Sequence, residues 1–152
     1  RWPATNFGEL AALLSAEAGA SIVLVGANSD RDAVDTVRRF ANTPVIDLCG
    51  RLSLAELGAL CKKAALYVGN DSGVTHLASA VGAPVVAIFG PTSPNQYRPL
   101  GRRTRVCASE ESWALKGTAD LRTVPRSALP DIVDVPLPQV FNACLELLGE
   151  TR

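Results

Sequence analysis

One stretch of the sequence combines, in a single turn, the residue types that bind phosphate groups. A buried apolar run ends at Gly69, and the polar turn 70–73 follows before a segment with helical spacing begins. In open α/β sheets, ligands bind at the carboxyl ends of strands, and the first N–H groups of a helix carry partial positive charge. Gly73 lacks a Cβ, so a ligand can approach its backbone closely. The turn therefore predicts a phosphate site.

The only histidine of the chain, His76, follows Gly73 by three residues. That spacing is about one helical turn, so the imidazole could reach the same anion. Taken singly, each residue has a plainer explanation: Asp71 or Ser72 as a helix cap worth about 1 kcal/mol, and His76 as a half-buried side chain. Since a helix needs only one cap, the combination favours ligand binding.

A second candidate loop follows the apolar run Pro84–Phe89 and reads Gly90-Pro91-Thr92-Ser93-Pro94. It also leaves the carboxyl end of a predicted parallel strand, beside the first turn. Two prolines stiffen it, and Thr92 offers a hydroxyl to a ligand. A rigid turn without any ligand explains this loop equally well.

Short β-branched runs alternate with segments of helical periodicity, which predicts the elements that position these loops. The predicted strands are Ser21–Gly26, Pro44–Leu48, Ala65–Gly69, Pro84–Phe89 and Thr104–Cys107. The predicted helices are Phe7–Glu17, Asp30–Ala41, Ser53–Lys63, Ser72–Val81 and Leu137–Leu148, with a capping box at Ser53 and Glu56. Nearly continuous apolar strands indicate a sheet covered on both faces, so we predict an α/β fold with a doubly wound, mostly parallel, Rossmann-like sheet. Residues 108–131 are predicted to form one long loop.

The pattern begins with a helix, whereas a doubly wound sheet normally begins with a strand. We therefore expect that strand to lie upstream of Arg1, which would leave a gap near the middle of the sheet. Such a gap predicts either low stability or pairing with a second chain, and so a possible dimer.

Composition narrows the function classes. The 152 residues carry no net formal charge and show no basic stripe, which argues against nucleic-acid binding. The cluster at Arg102, Arg103 and Arg105 is interpreted as a solvated loop. The four cysteines form no CxxC pair, so we expect no zinc site and interpret them as buried thiols of a cytoplasmic protein: Cys49, Cys61, Cys107 and Cys144.

These motifs resemble glycosyltransferase family 9, the ADP-heptose:lipopolysaccharide heptosyltransferases. The resemblance is carried by Asp71-Ser72-Gly73-x-x-His76-Leu77-Ala78, then Gly82-x-Pro84, then Phe89-Gly90-Pro91-Thr92-x-Pro94. It covers roughly residues 1–107, where Arg1-Trp2-Pro3 and Gly50-x-x-Ser53-Leu54 also look like family segments.

The resemblance implies a GT-B enzyme of two Rossmann-like domains. Residues 1–152 would be its carboxyl-terminal domain, which binds the nucleotide sugar, and the amino-terminal acceptor domain would lie outside this chain. Ser72, Gly73 and His76 would contact the diphosphate, and Asp71 would face the sugar. Asp30 would bond the ribose hydroxyls, and Thr92 would complete the donor site.

The implied reaction is inverting transfer of a heptose-like sugar from an ADP-sugar to lipopolysaccharide core or another glycan. No metal or other cofactor is expected. The catalytic base would lie in the amino-terminal domain, so no catalytic residue is predicted here and the chain alone should be inactive. The cysteine-rich tail of many members is replaced by Glu110-Glu111-Ser112-Trp113, whose role the sequence does not explain.

Two other readings stay open at this point. A nucleotide-sugar 2-epimerase shares the GT-B fold, although it would need further acidic residues near the histidine. The alternative outside the enzymes is a noncatalytic nucleotide-binding or interaction module. For the full enzyme we expect a location in the cytoplasm, with possible peripheral association with the membrane that holds a glycolipid acceptor.

Overall fold

Every strand of the computed structural model lies parallel to its neighbours, and the structure describes residues 1–115, 127 and 129–150. The chain divides into two compact units by its internal contacts. The first unit is Trp2–Leu57, and the second unit is Gly58–Arg152 together with Arg1.

The first unit contains two strands and two long helices: α1 (Ala4–Ala18), β1 (Ile22–Leu24), α2 (Arg31–Ala41) and β2 (Val45–Asp47). Strands β1 and β2 pair in parallel, with Val23 opposite Ile46. The helices approach closely at Gly8, where a Cβ would lie only 2.4 Å from the Cβ of Phe40. The absence of a side chain at this position therefore sets the spacing of α1 and α2.

Helix α3 (Leu54–Lys63) begins at the predicted capping box. The Ser53 backbone N–H donates to Glu56 Oε2 at 2.8 Å, and the Glu56 N–H donates to Ser53 Oγ at 3.3 Å. Two N–H groups at the helix start are thus satisfied reciprocally, as the sequence predicts.

After α3, the described residues of the second unit form three strands and four helices: β3 (Tyr67–Asn70), α4 (Gly73–Ala80), β4 (Val85–Ile88), α5 (Pro94–Tyr97), β5 (Thr104–Cys107), α6 (Glu110–Ala114) and α7 (Leu137–Gly149). The strand order is β3-β4-β5. Central strand β4 is completely buried, and α7 packs against β4 and β5. The connections after β3 and β4 lead into five of the six predicted site residues, and the paired strands deliver both connections to the same edge.

The predicted α/β class with parallel strands is confirmed. The five predicted strands and the five predicted helices are all present, with bounds shifted by a few residues. The strands form two ladders, however, rather than one continuous sheet. Among the described residues, the only neighbour of β1 is β2, and the only neighbour of β3 is β4.

The prediction of one loop over residues 108–131 is wrong at its start, where α6 forms. Ser109 caps this helix by accepting a hydrogen bond from the Ser112 N–H, and Glu110 and Glu111 occupy the first turn, where negative charge is favourable. A short 3-10 turn, Ile132–Asp134, precedes α7. Residues 116–126 and 128 of the predicted loop lie outside the described residues.

All four cysteines are buried, as predicted, and each is a free thiol. Burial raises the pKa of Cys107 and of Cys144 to about 12, so these thiols act as small apolar groups. In the described part of the chain, no helix is long and apolar enough to cross a membrane.

Candidate functional site

The predicted phosphate turn is a connection of two residues between β3 and α4. The Asp71 N–H continues the strand ladder by donating to the Ile88 carbonyl at 2.9 Å. Ser72 is extended, at φ −160° and ψ 164°, and Gly73 is the first helical residue. A Cβ at Gly73 would meet nothing within 4 Å among the described residues, so the start of α4 is open to a ligand.

Neither the Asp71 carboxylate nor the Ser72 hydroxyl caps α4 among the described residues. In the described structure, the N-cap residue Ser72 makes no side-chain hydrogen bond to the helix backbone. Its Oγ instead lies 3.2 Å from the Oγ1 of Thr75. The plainer explanation of Ser72 as a cap is therefore wrong, and the first N–H groups of α4 stay available to an acceptor such as a phosphate oxygen.

Asp71, His76 and Thr92 come together beside the start of α4. Thr92 Oγ1 donates to Asp71 Oδ2 at 2.8 Å, and His76 Nε2 lies 3.5 Å from Asp71 Oδ1. The His76 side chain is 47% exposed, whereas that of Asp71 is 21% exposed. The carboxylate thus lies beside an imidazole that is about half exposed and could contact an anion.

Two residues that the sequence analysis did not single out, Thr75 and Tyr67, support this turn. Thr75 is fully buried, and its hydroxyl donates to the Asn70 carbonyl at the end of β3. The hydroxyl of Tyr67 would lie 2.6 Å from a Cβ at Gly69, so any side chain there would force the tyrosine ring to move. Burial raises the pKa of Tyr67, and hydrogen bonding to Thr75 opposes that rise. The tyrosine is therefore a neutral hydroxyl that helps fix the turn.

Asp30 lies in the first unit, at the end of a 3-10 turn, Asn28–Asp30, that leads into α2. Its Oδ2 accepts a hydrogen bond from the Ala27 N–H at 2.9 Å. The predicted role towards a ribose therefore competes with a local role in capping this turn. The other five predicted residues all lie in the second unit: Asp71, Ser72, Gly73, His76 and Thr92.

The turn in the second unit offers hydrogen-bond donors, because its own described side chains do not occupy the first backbone N–H groups of α4. The N–H groups of the first helical turn, the Ser72 hydroxyl and the His76 ring can each donate to an oxyanion. Among the described residues, no group of three or more His, Cys, Asp or Glu side chains is placed to hold a metal ion. Fold and site together define a class: parallel α/β proteins with a polar turn, open to a ligand, where a strand meets a helix.

Comparison with known proteins narrows this class. The model of glycosyltransferase family 9 (heptosyltransferase) matches residues 1–123. Lipopolysaccharide heptosyltransferase 2 of Escherichia coli (strain K12) is 36% identical over 149 residues, which are 95% of this chain and 42% of that protein. This chain therefore belongs to glycosyltransferase family 9.

Two solved structures of family members have the same fold as this chain. The glycosyl transferase family 9 structure from Veillonella parvula DSM 2008 has a TM-score of 0.86 at 26% identity, covering 99% of this chain and 42% of that one. The E. coli ADP-heptose lps heptosyltransferase II has a TM-score of 0.75 at 26% identity, covering 99% and 43%. The chain thus has the family's fold and spans about two fifths of the length of these relatives.

Proposed function

We propose that this chain is the donor-binding domain of an inverting glycosyltransferase that moves a heptose-like sugar from an ADP-sugar to lipopolysaccharide core or another glycan. The observation that supports it most is the meeting of Asp71, His76 and Thr92 beside the uncapped start of α4. Relatives named for heptosyl transfer, one of them for ADP-heptose, support the choice of donor.

In this proposal the diphosphate binds to the first turn of α4. The N–H groups from Gly73 onwards, the Ser72 hydroxyl and the imidazole of His76 donate to its oxygens. Negative charge accumulates on the diphosphate as the bond to the sugar breaks. Donors that the fold has already oriented stabilise that charge without reorganisation, so the proposal requires no metal or other cofactor.

Asp71 acquires a second role beside the predicted contact with the sugar. Its two oxygens face Thr92 and His76, so the carboxylate orients the imidazole towards the diphosphate. We further propose that the Asp30 carboxylate, which accepts from the Ala27 N–H, binds the ribose hydroxyls.

The acceptor and the general base belong, in this proposal, to the part of the enzyme outside this chain, because the chain spans 42% of the length of its E. coli relative. The chain alone would then bind a donor without transferring the sugar. A cytoplasmic location with peripheral membrane contact would fit a glycolipid acceptor.

Titration calorimetry with ADP tests the proposal. We expect saturable binding, and His76→Ala should weaken it about tenfold to a hundredfold, since a hydrogen bond to a charged group contributes about 1.5–3 kcal/mol. Thr36→Ala serves as the control, because its exposed hydroxyl bonds the Asp32 carbonyl within α2. A folded protein that binds no ADP would contradict the proposal, and tighter binding of UDP would redirect it to another donor.

A further inference from the structure

The segment that follows β5 packs against the loop that carries Thr92. Ser112 Oγ donates to the Gly90 carbonyl at 2.7 Å, and Ser93 Oγ donates to the Leu115 carbonyl at 2.8 Å. A third hydrogen bond joins Asn95 Nδ2 to the Trp113 carbonyl at 2.9 Å. The end of α6 is thus tied to the Thr92 loop by hydrogen bonds in both directions.

The two serine hydroxyls lie where water cannot replace them. Ser112 is 0% exposed and Ser93 is 4% exposed. A buried carbonyl that loses its donor in such a place stays unsatisfied, unless the backbone moves to find another partner. Each of these two buried hydrogen bonds therefore constrains the backbone path of the Thr92 loop.

The constrained positions enclose Thr92. Gly90 precedes it by two residues and Ser93 follows it directly. Gly90 is also confined from another side, because a Cβ there would lie 2.5 Å from the Cβ of Ile132. With both flanks held, the Thr92 hydroxyl is kept in line with Asp71 Oδ2, which lies 2.8 Å away.

We infer that α6 acts, through Ser112, as a positioning element for the donor site. The order of contacts runs from Ser112 to the Gly90 carbonyl, then along the loop to Thr92, and from Thr92 to the carboxylate that faces His76. Ser112 itself touches no ligand in this account and is a positioning residue. The ligand in this inference rests on the proposed function, but the arrangement of the loop does not.

This inference gives a role to the Glu110–Trp113 segment, which the sequence motifs leave unexplained. Glu110 and Glu111 start α6 at a favourable helix terminus, and Ser109 caps it. The helix is short, so its capping decides whether Ser112 is presented to Gly90. The segment therefore supports the site mechanically.

The decisive experiment is a double-mutant cycle on Ser112 and Thr92, with ADP affinity from calorimetry. Ser112→Ala should weaken ADP binding about tenfold. Thr92→Val should weaken it at least as much, and adding Ser112→Ala to Thr92→Val should cause no further loss, because the two residues act through one path. Additive losses in the double variant would overturn the inference.

Ser79→Ala is the matched control. Ser79, in the last turn of α4, is 8% exposed, and its Oγ accepts a hydrogen bond from the Gly101 N–H at 2.9 Å, so the variant breaks another bond between a serine side chain and the backbone, to a different loop of the same unit. We expect both alanine variants to unfold at lower urea concentration, but Ser79→Ala to keep its ADP affinity. If Ser112→Ala also keeps its affinity, α6 is merely structural and the inference fails.

A second readout needs no ligand, so it separates this inference from the proposed function. The chain has one histidine, whose imidazole resonances can be followed by NMR. Ser112→Ala and Thr92→Val should shift the His76 resonances in the same direction, whereas Ser79→Ala should leave them in place. Unmoved resonances in Ser112→Ala overturn the inference even if the wild type binds no ADP. Ser93→Ala, which breaks the bond to Leu115, replaces Ser112→Ala if that variant does not fold.

Discussion

The Asp71 carboxylate divides its two oxygens between different parts of the second unit. One oxygen accepts from Thr92 in the loop after β4, and the other faces His76 on α4. Asp71 is therefore occupied in ordering side chains and does not cap the helix that follows it. This division leaves the first N–H groups of α4 available, as the proposed binding of a donor diphosphate requires.

At Gly73 we predict a loss of binding without a loss of stability. A Cβ there meets nothing in the described structure, so Gly73→Ala should fold normally, yet the methyl group would stand where a diphosphate approaches the backbone. ADP affinity should fall about tenfold or more, a change of about 1.4 kcal/mol. Gly149→Ala is the control, since its Cβ also meets nothing within 4 Å and it lies at the end of α7. Unchanged ADP affinity in Gly73→Ala would contradict the proposed path of the diphosphate.

At Gly69 we predict the reverse, a loss of stability. An added Cβ would lie 2.6 Å from the Tyr67 hydroxyl and 2.8 Å from a ring carbon, so the ring must move. Overpacking of this kind costs about 1–3 kcal/mol, measurable as a lower midpoint of urea unfolding. Gly58→Ala should show no such loss, because its Cβ would make an ordinary contact with Leu77 at 3.7 Å. Equal midpoints for the two variants would contradict this account of Tyr67.

At the scale of elements, the start of α2 is tied to the end of β2 by charge. Arg31 donates to Asp47 Oδ2 at 2.6 Å and to the Cys49 carbonyl at 3.0 Å, while Asp47 Oδ1 accepts from the Cys49 N–H. The hydrogen bond from Arg31 is the largest cause that lowers the pKa of Asp47. The ion pair therefore joins a strand end to a helix start within the first unit.

This lowered pKa predicts how stability depends on pH. A carboxylate whose pKa is lower in the folded state stabilises that state above the unfolded pKa, and loses this effect as the pH falls through the folded value. The urea midpoint of the wild type should therefore exceed that of Asp47→Asn at pH 7, and the difference should shrink below about pH 4. Glu9→Gln, at an exposed position of α1, is the control. A difference that stays constant down to pH 2 would refute the role of Asp47.

Sequence periodicity predicts the elements well because it reflects which faces are buried. The strand runs and the capping box of α3 depend on local residues, and the structure confirms both. The contact of Thr92 with Asp71 joins positions 21 residues apart, so only the pairing of β3 with β4 brings them together. The role of Ser112 was hidden for the same reason, since nothing local ties it to Gly90. The capping pattern at Ser109 could have revealed α6 itself.

For the whole molecule, the unpaired strand edges matter most. Among the described residues, β1 and β3 each pair with one neighbour only. Open edges present free backbone groups that can recruit another strand. The 152-residue chain on its own is thus expected either to self-associate or to unfold at low urea concentration. Light scattering and urea unfolding together check this, and a stable monomer with a steep unfolding transition would contradict it.

The proposed function depends most on the binding of a nucleoside diphosphate at the start of α4. The most direct measurement is an amide NMR titration of the protein with ADP. We expect the N–H resonances of Gly73, Val74 and Thr75 to shift most, together with the imidazole of His76, and all of them to saturate at the same ADP concentration. Saturable shifts confined to other residues, with these four unmoved, would contradict it.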